Sequence, residues 1–126
     1  MNMNNNNDVL NELYKIILKR KKELEINDAS VVLDKDGGKS YTKYLFQEGI
    51  NKILKKVGEE TAETIIAAKD ASNGAGAEDC NVLLVGEVAD LFYHVLVMLA
   101  ELDISFSDVE EELAERAKKM GNLKQR

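Results

Sequence analysis

An all-α bundle of about four helices is the fold this sequence predicts, on three observations. Apolar residues recur every three or four positions in separate segments, which is the helical period. No segment alternates apolar and polar residues as a half-buried strand would, and "VVL" at 31–33 is too short to count as one. The 126 residues contain no proline. A chain of this length forms one domain and buries roughly two-thirds of its unfolded surface.

Residues 1–7, nearly all Asn, are a polar tail that contributes nothing to a core and is expected to be disordered. Asp8 can cap a first helix running to about residue 24, with Val9, Leu10, Leu13, Ile16 and Ile17 on its apolar face. The stretch "EINDASVVLDKDGGKS" breaks that pattern, and its "DKDGG" is turn chemistry, so a long connection is expected. From Ser40 to about Lys69, Phe46, Ile50, Ile53, Leu54, Val57, Thr61, Ile65 and Ala68 mark a second, long amphipathic helix with an irregularity at Gly49. The small residues of "DASNGAGAED" end it, and Asp79 can cap a third helix to about Leu102. This helix is apolar nearly all round, so it must lie at the bundle centre or be covered by a second subunit; a homodimer or higher homo-oligomer is the simpler solution in a short chain. "SDVE" at 107–110 fits a capping box for a last helix to about Met120. The domain thus spans 8–120, with a polar tail at 121–126.

The formal net charge is −6 and the basic residues form no stripe, which argues against a nucleic-acid partner. An acidic protein can still bind a phosphate compound through a bridging cation. No charge-free apolar run is long enough to span a membrane, and "MNMNNNNDV" lacks the basic and apolar regions of a signal peptide. Cys80 is the single cysteine, so no internal disulfide forms; a small buried role suits it better than a nucleophilic one. A cytoplasmic location is expected.

The ionisable groups of the long helices are not scattered. With Leu84 as zero, Glu87, Asp90, His94 and Glu101 fall at roughly 300°, 240°, 280° and 260° on the helical wheel, one narrow strip on an otherwise apolar helix. With Ile53 as zero, Glu60 falls near 340°, abutting the apolar arc, and Glu63 near 280°, with Glu59 turned further toward solvent. Each helix therefore carries two carboxylates one turn apart, and antiparallel packing lets the pairs face each other. Two unit charges 4 Å apart repel by roughly 4 kcal/mol at an effective dielectric constant of 20, so such a cluster calls for cations. Hard oxygen donors suit Mg²⁺ or Mn²⁺, whereas zinc favours Cys and His. A di-iron bundle needs a Glu-x-x-His unit on each of two helices, and this chain has one His. The bland reading is surface ion pairing, Lys56 with Glu60 and Lys55 with Glu59. It suits a lone Glu-x-x-Glu but does not account for Glu87 and Asp90.

"KILKKVGEETAETIIAAKD", "GEVADLFYHVLVMLAE" and the preceding "KSYTKYLFQEG" together resemble the phosphoribosyl-ATP pyrophosphohydrolase family of histidine biosynthesis, over about residues 40–118. The Glu-x-x-Glu and Glu-x-x-Asp core is shared with the wider MazG-like all-α NTP pyrophosphatases; "KVGEE", "AAK" and "ADLFYH" point to the histidine branch. The resemblance implies a MazG-like helical bundle and Mg²⁺-dependent hydrolysis of phosphoribosyl-ATP to phosphoribosyl-AMP and pyrophosphate. It implies Glu60, Glu63, Glu87 and Asp90 as metal ligands and catalytic residues, with Glu59 as a helper. Lys56, Lys69, Tyr93 and His94 are the candidates for substrate contact; His94 is equally well read as a satisfied buried histidine. The insert "ASNGAGAEDCN" is longer than the family's usual connection, the Asn-rich start is atypical, and no cyclohydrolase domain fits in this length. Two other readings stand beside this one: a MazG-like pyrophosphatase acting on another NTP, and a non-catalytic helical module whose acidic strip binds a basic partner.

Overall fold

Five helices follow one another in the computed structural model, which describes residues 8–26, 40–74 and 77–124: α1 (Val9–Ile26), α2 (Tyr41–Glu48), α3 (Ile50–Ser72), α4 (Ala77–Glu101) and α5 (Phe106–Lys124). No strand occurs among the described residues, as the helical periodicity requires. The expected Asn-rich tail, residues 27–39 of the expected connection, and part of the insert after α3 lie outside the described residues.

The fifth helix arises because the long segment from Ser40 divides at Gly49, whose φ of 96° and ψ of −175° belong to a region essentially reserved for glycine. Ser40 starts α2, its hydroxyl accepting from the Lys43 N–H at 3.1 Å, while the Gly49 N–H closes the helix on the Leu45 carbonyl. Three boundaries differ from the sequence reading. Asp79 lies inside the first turn of α4, where its charge suits the helix dipole, two residues after the helix begins. The cap of α5 is Ser105, whose Oγ accepts from the Ser107 N–H at 3.2 Å, so the capping residue stands two positions before the expected Ser107. Gly121 does not end α5, which continues to Lys124.

α3 and α4 pack against each other along most of their length and form the main pair; α1 and α2 cover one end of it. The core gathers at that end, around Tyr14 and Ile17 of α1, Leu45 of α2, Ile53 of α3 and Leu96, Val97, Leu99 and Ala100 of α4, with Phe106 closing it. Ile17, Leu45, Ile53 and Val97 are fully buried, each worth about 1.5–3 kcal/mol of transfer free energy. Polar ties hold the same end. The Tyr14 hydroxyl donates to the Ile104 carbonyl, and Lys21 donates to the Ala100 carbonyl at 2.8 Å and pairs with Asp103 at 3.0 Å, a cation at the C-terminus of α4. Buried Lys43 meets Glu23 at 2.9 Å and holds that carboxyl below its usual range.

Among the described residues the other half of α4 keeps an apolar face in the open: Val82, Leu83, Val85 and Phe92 are all exposed, as are Leu54, Ile65 and Ile66 of α3 and Leu113 of α5. Leu10, Val57, Leu91, Phe92, Val95 and Leu113 help line an apolar groove of about 490 Å³. By length and composition alone, Glu78–Glu101 could cross a membrane, yet Glu87, Asp90 and His94 sit in its middle.

Candidate functional site

The uncovered α3–α4 pair carries the acidic residues. One ligand oxygen from each of Glu60, Glu63 and Glu87 lies within 4.8 Å of the others. Glu60 is 6% exposed, Glu87 half-buried and Glu63 exposed, so the cluster opens outward from a buried floor. Asp90, the fourth expected ligand, stands outside this group of three on the next turn of α4; it is exposed, but its charge acts on both Glu60 and Glu87. Thr64 marks where the two helices meet at this level: its hydroxyl donates to the Glu60 carbonyl of its own helix at 2.8 Å and reaches the Glu87 carbonyl at 3.3 Å.

The electrostatics are those of crowded acids. Burial pushes the Glu60 carboxyl up, and Glu63 and Asp90 push it further; His94 and Lys56 oppose them. The Glu87 carboxyl is raised too, first by desolvation, then by a hydrogen bond shared with Glu63 and by the charges of Glu63, Glu60 and Asp90. Glu60 Oε1 and Glu87 Oε1 are buried without a hydrogen-bond partner. Such acceptors are costly unless something else satisfies them, and a hard divalent cation is the group that fits three converging carboxylates.

Lys56 lies beside the cluster, 3.2 Å from Glu59 Oε1 and 3.8 Å from Glu60 Oε2. The ion pairing read from the sequence as the bland alternative therefore exists for Lys56, but it reaches only the rim and leaves Glu60 Oε1 and Glu87 Oε1 unpartnered. Glu59 is engaged by Lys56 and is not one of the three converging carboxylates. Lys69 is exposed in the last turn of α3, two turns beyond Glu63. Beyond Glu63 and Glu87 the helices enclose a cavity of about 220 Å³, lined also by Ile66, Ala67, Asp70, Cys80 and Leu83. Cys80 is half-buried there.

His94 is 5% exposed and both ring nitrogens are engaged: Nδ1 is 2.7 Å from the Asp90 carbonyl oxygen and Nε2 is 2.9 Å from Tyr41 Oη. Tyr93, its neighbour, shares a hydrogen bond with the Thr42 hydroxyl. The first turn of α2 is thus fastened onto α4 directly after the acidic cluster. Sequence reasoning passed over Tyr41 and Thr42, reading "KSYTKYLFQEG" only as the lead into a long helix, because the break at Gly49 that folds α2 back over α4 has no periodic signal. Thr64 was missed for a similar reason: its role depends on where Glu87 arrives from α4.

Comparison with known proteins identifies the family. A family model described as phosphoribosyl-ATP pyrophosphohydrolase matches residues 33–117. The chain is 44% identical over 119 residues to a protein of Clostridium novyi named phosphoribosyl-ATP pyrophosphatase, covering 94% of this chain and 90% of that one. It is 47% identical over 118 residues to a protein of Listeria welshimeri with the same name, covering 94% of each, and 47% identical over 112 residues to one of Pelotomaculum thermopropionicum, covering 89% of this chain and 94% of that one.

Proposed function

The chain belongs to the phosphoribosyl-ATP pyrophosphohydrolase family, and from that premise we propose how its residues carry out the reaction. It is a hydrolase of histidine biosynthesis that converts phosphoribosyl-ATP to phosphoribosyl-AMP and pyrophosphate, the bond broken being the α–β phosphoanhydride. The naming of the relatives favours this substrate over another NTP, and catalysis over a purely binding module.

Glu60, Glu63, Glu87 and Asp90 would hold Mg²⁺, or Mn²⁺ in its place. The observation carrying this reading is the pair of buried, unpartnered carboxylate oxygens on Glu60 and Glu87 within a group of three acids. A metal held there would supply charge neutralisation for the triphosphate and Lewis acidity toward a water molecule. The chain's own residues do the rest. The packing of α3 on α4, with the Thr64 hydroxyl between the Glu60 and Glu87 carbonyls, positions the donors before substrate arrives. A carboxylate of the cluster orients the attacking water and receives its proton as the anhydride oxygen leaves with pyrophosphate. Lys56, steered by Glu59, presents the nearby cation for a phosphate oxygen. Lys69, farther along α3, is a candidate for the distal phosphates. The exposed apolar faces of α3, α4 and α5 pair with a second copy of the chain, making α4 an interior helix of a soluble homodimer or larger homo-oligomer.

The test is release of pyrophosphate from phosphoribosyl-ATP with and without Mg²⁺, for the parent protein and for Glu87→Ala. Loss of one of the converging carboxylates is expected to lower activity by about 100-fold or more, beyond the roughly 10- to 100-fold cost of losing an outer partner of a ligand. Full activity in Glu87→Ala, or in the presence of a chelator, would overturn the assignment of the site; preference for an ordinary NTP would overturn the substrate.

A further inference from the structure

We propose that Tyr41 is a substrate-contacting residue that receives the nucleoside part of the substrate, and that buried His94 is the positioning residue that sets its hydroxyl. This rests on the phosphoribosyl-ATP reading of the adjoining carboxylates. The argument begins at His94. Nδ1 faces the Asp90 carbonyl, which can only accept, so Nδ1 carries the hydrogen. Nε2 lies 2.9 Å from Tyr41 Oη, so this hydrogen bond fixes the hydroxyl in place. The outward side of Oη is left to accept from N–H and O–H donors, such as an exocyclic amino group or ribose hydroxyls.

Tyr41 is 45% exposed although its edge is fixed on His94. Its ring stacks with the exposed Tyr44 and with Tyr93, each at 6.1 Å between centroids, and Lys52 lies over Tyr44. Tyr41 is bonded to His94, and His94 to the Asp90 carbonyl one turn from Glu87, which puts this aromatic face beside the acidic cluster. A substrate whose phosphates lie at the cluster must send its nucleoside over a neighbouring surface. Here that surface offers π-faces and an acceptor, the chemistry that recognises a base and its sugar. The cavity on the opposite side, past Glu63 and Glu87, has no aromatic ring in its lining.

Product inhibition of the full-length, Mg²⁺-loaded enzyme separates the two ends of the substrate. Tyr41→Ala is expected to raise the inhibition constant of phosphoribosyl-AMP, and KM, by roughly 5- to 150-fold, the range for loss of one base stack. The inhibition constant of pyrophosphate stays unchanged and kcat moves little. Tyr41→Phe keeps the ring and shows a smaller rise. His94→Gln raises KM in the parent but adds nothing in a Tyr41→Ala background, because it acts through Tyr41. Unchanged phosphoribosyl-AMP inhibition in both Tyr41 variants, an equal rise for pyrophosphate, or additive effects of His94 and Tyr41 would each overturn the proposal. A Leu83→Ser variant that weakens phosphoribosyl-AMP while Tyr41→Phe does not would move the nucleoside to the opposite cavity. A parent protein inactive on phosphoribosyl-ATP would instead defeat the underlying reading, and this one with it.

Discussion

Glu60→Gln should make the metal-free protein more stable while destroying its response to Mg²⁺. Glu60 is 6% exposed and offers an oxygen within 4.8 Å of one on Glu63 and one on Glu87. At that separation two unit charges repel by about 3.5 kcal/mol at an effective dielectric constant of ~20 and by about 0.9 kcal/mol in bulk water; the exposure of Glu63 puts the real value between. Lys56, 3.8 Å away, returns a comparable attraction, but it is closer to Glu59 and so is shared. Gln keeps the shape, removes the repulsion from several acids and gives up one shared cation. The net relief is about 1 kcal/mol, or ~3–5 °C in Tm for a chain of this size. The sign with pH follows from the raised Glu60 pKa. A group that holds its proton more tightly when folded contributes stability that is complete below its unfolded value, near 4.5, and is lost as pH rises through the folded value. In chelator, the parent should therefore lose stability from about pH 4.5 toward neutrality, and Glu60→Gln should lose less. Adding Mg²⁺ at 100 times its Kd should return about 2.7 kcal/mol to the parent and far less to the variant. Thermal melts followed by circular dichroism, in chelator and in Mg²⁺, measure both. A variant less stable than the parent in chelator at pH 7–8, with its Mg²⁺ shift intact, would refute the reasoning.

Two further outcomes concern the fold and its assembly. Gly49→Ala should destabilise by about 1–3 kcal/mol purely through its backbone, since a Cβ there meets nothing within 4 Å, whereas Gly58→Ala, equally open but mid-helix, should stabilise by about 0.5–1 kcal/mol; urea unfolding of both reads the contrast. Phe92→Glu puts a charge into the apolar groove of α4, so it should shift the protein toward monomer in analytical ultracentrifugation, and an unchanged mass would show that this face is not the subunit contact.

Much of the architecture was legible because helical periodicity is a local property. The apolar recurrence from Val9, from Ile53 and from Leu84 identifies helices wherever the chain ends up. Boundaries were less legible: Ser105 and Ser107 are both plausible caps by residue type, and only the path of the backbone from α4 selects Ser105. The acidic pairs were visible for the same local reason, since residues three apart share a helix face. What local pattern could not reveal was which of the four would meet. Glu60, Glu63 and Glu87 converge while Asp90 stands one turn away, an outcome set by the relative height of α3 and α4. Nor could it distinguish apolar positions covered within the chain, such as Ile53, from those left bare, such as Ile65.

By itself, then, the order of residues determined that this chain is helical, that its central helix needs covering all round, and that two of its helices carry carboxylates where burial makes them costly. Only the tertiary structure decided that α2 turns back at Gly49, bringing Tyr41 against His94 beside those acids. Periodicity specifies which face of a helix is buried, but not which neighbour it meets; that is set by crossings and loop paths, where residues far apart in the chain come together.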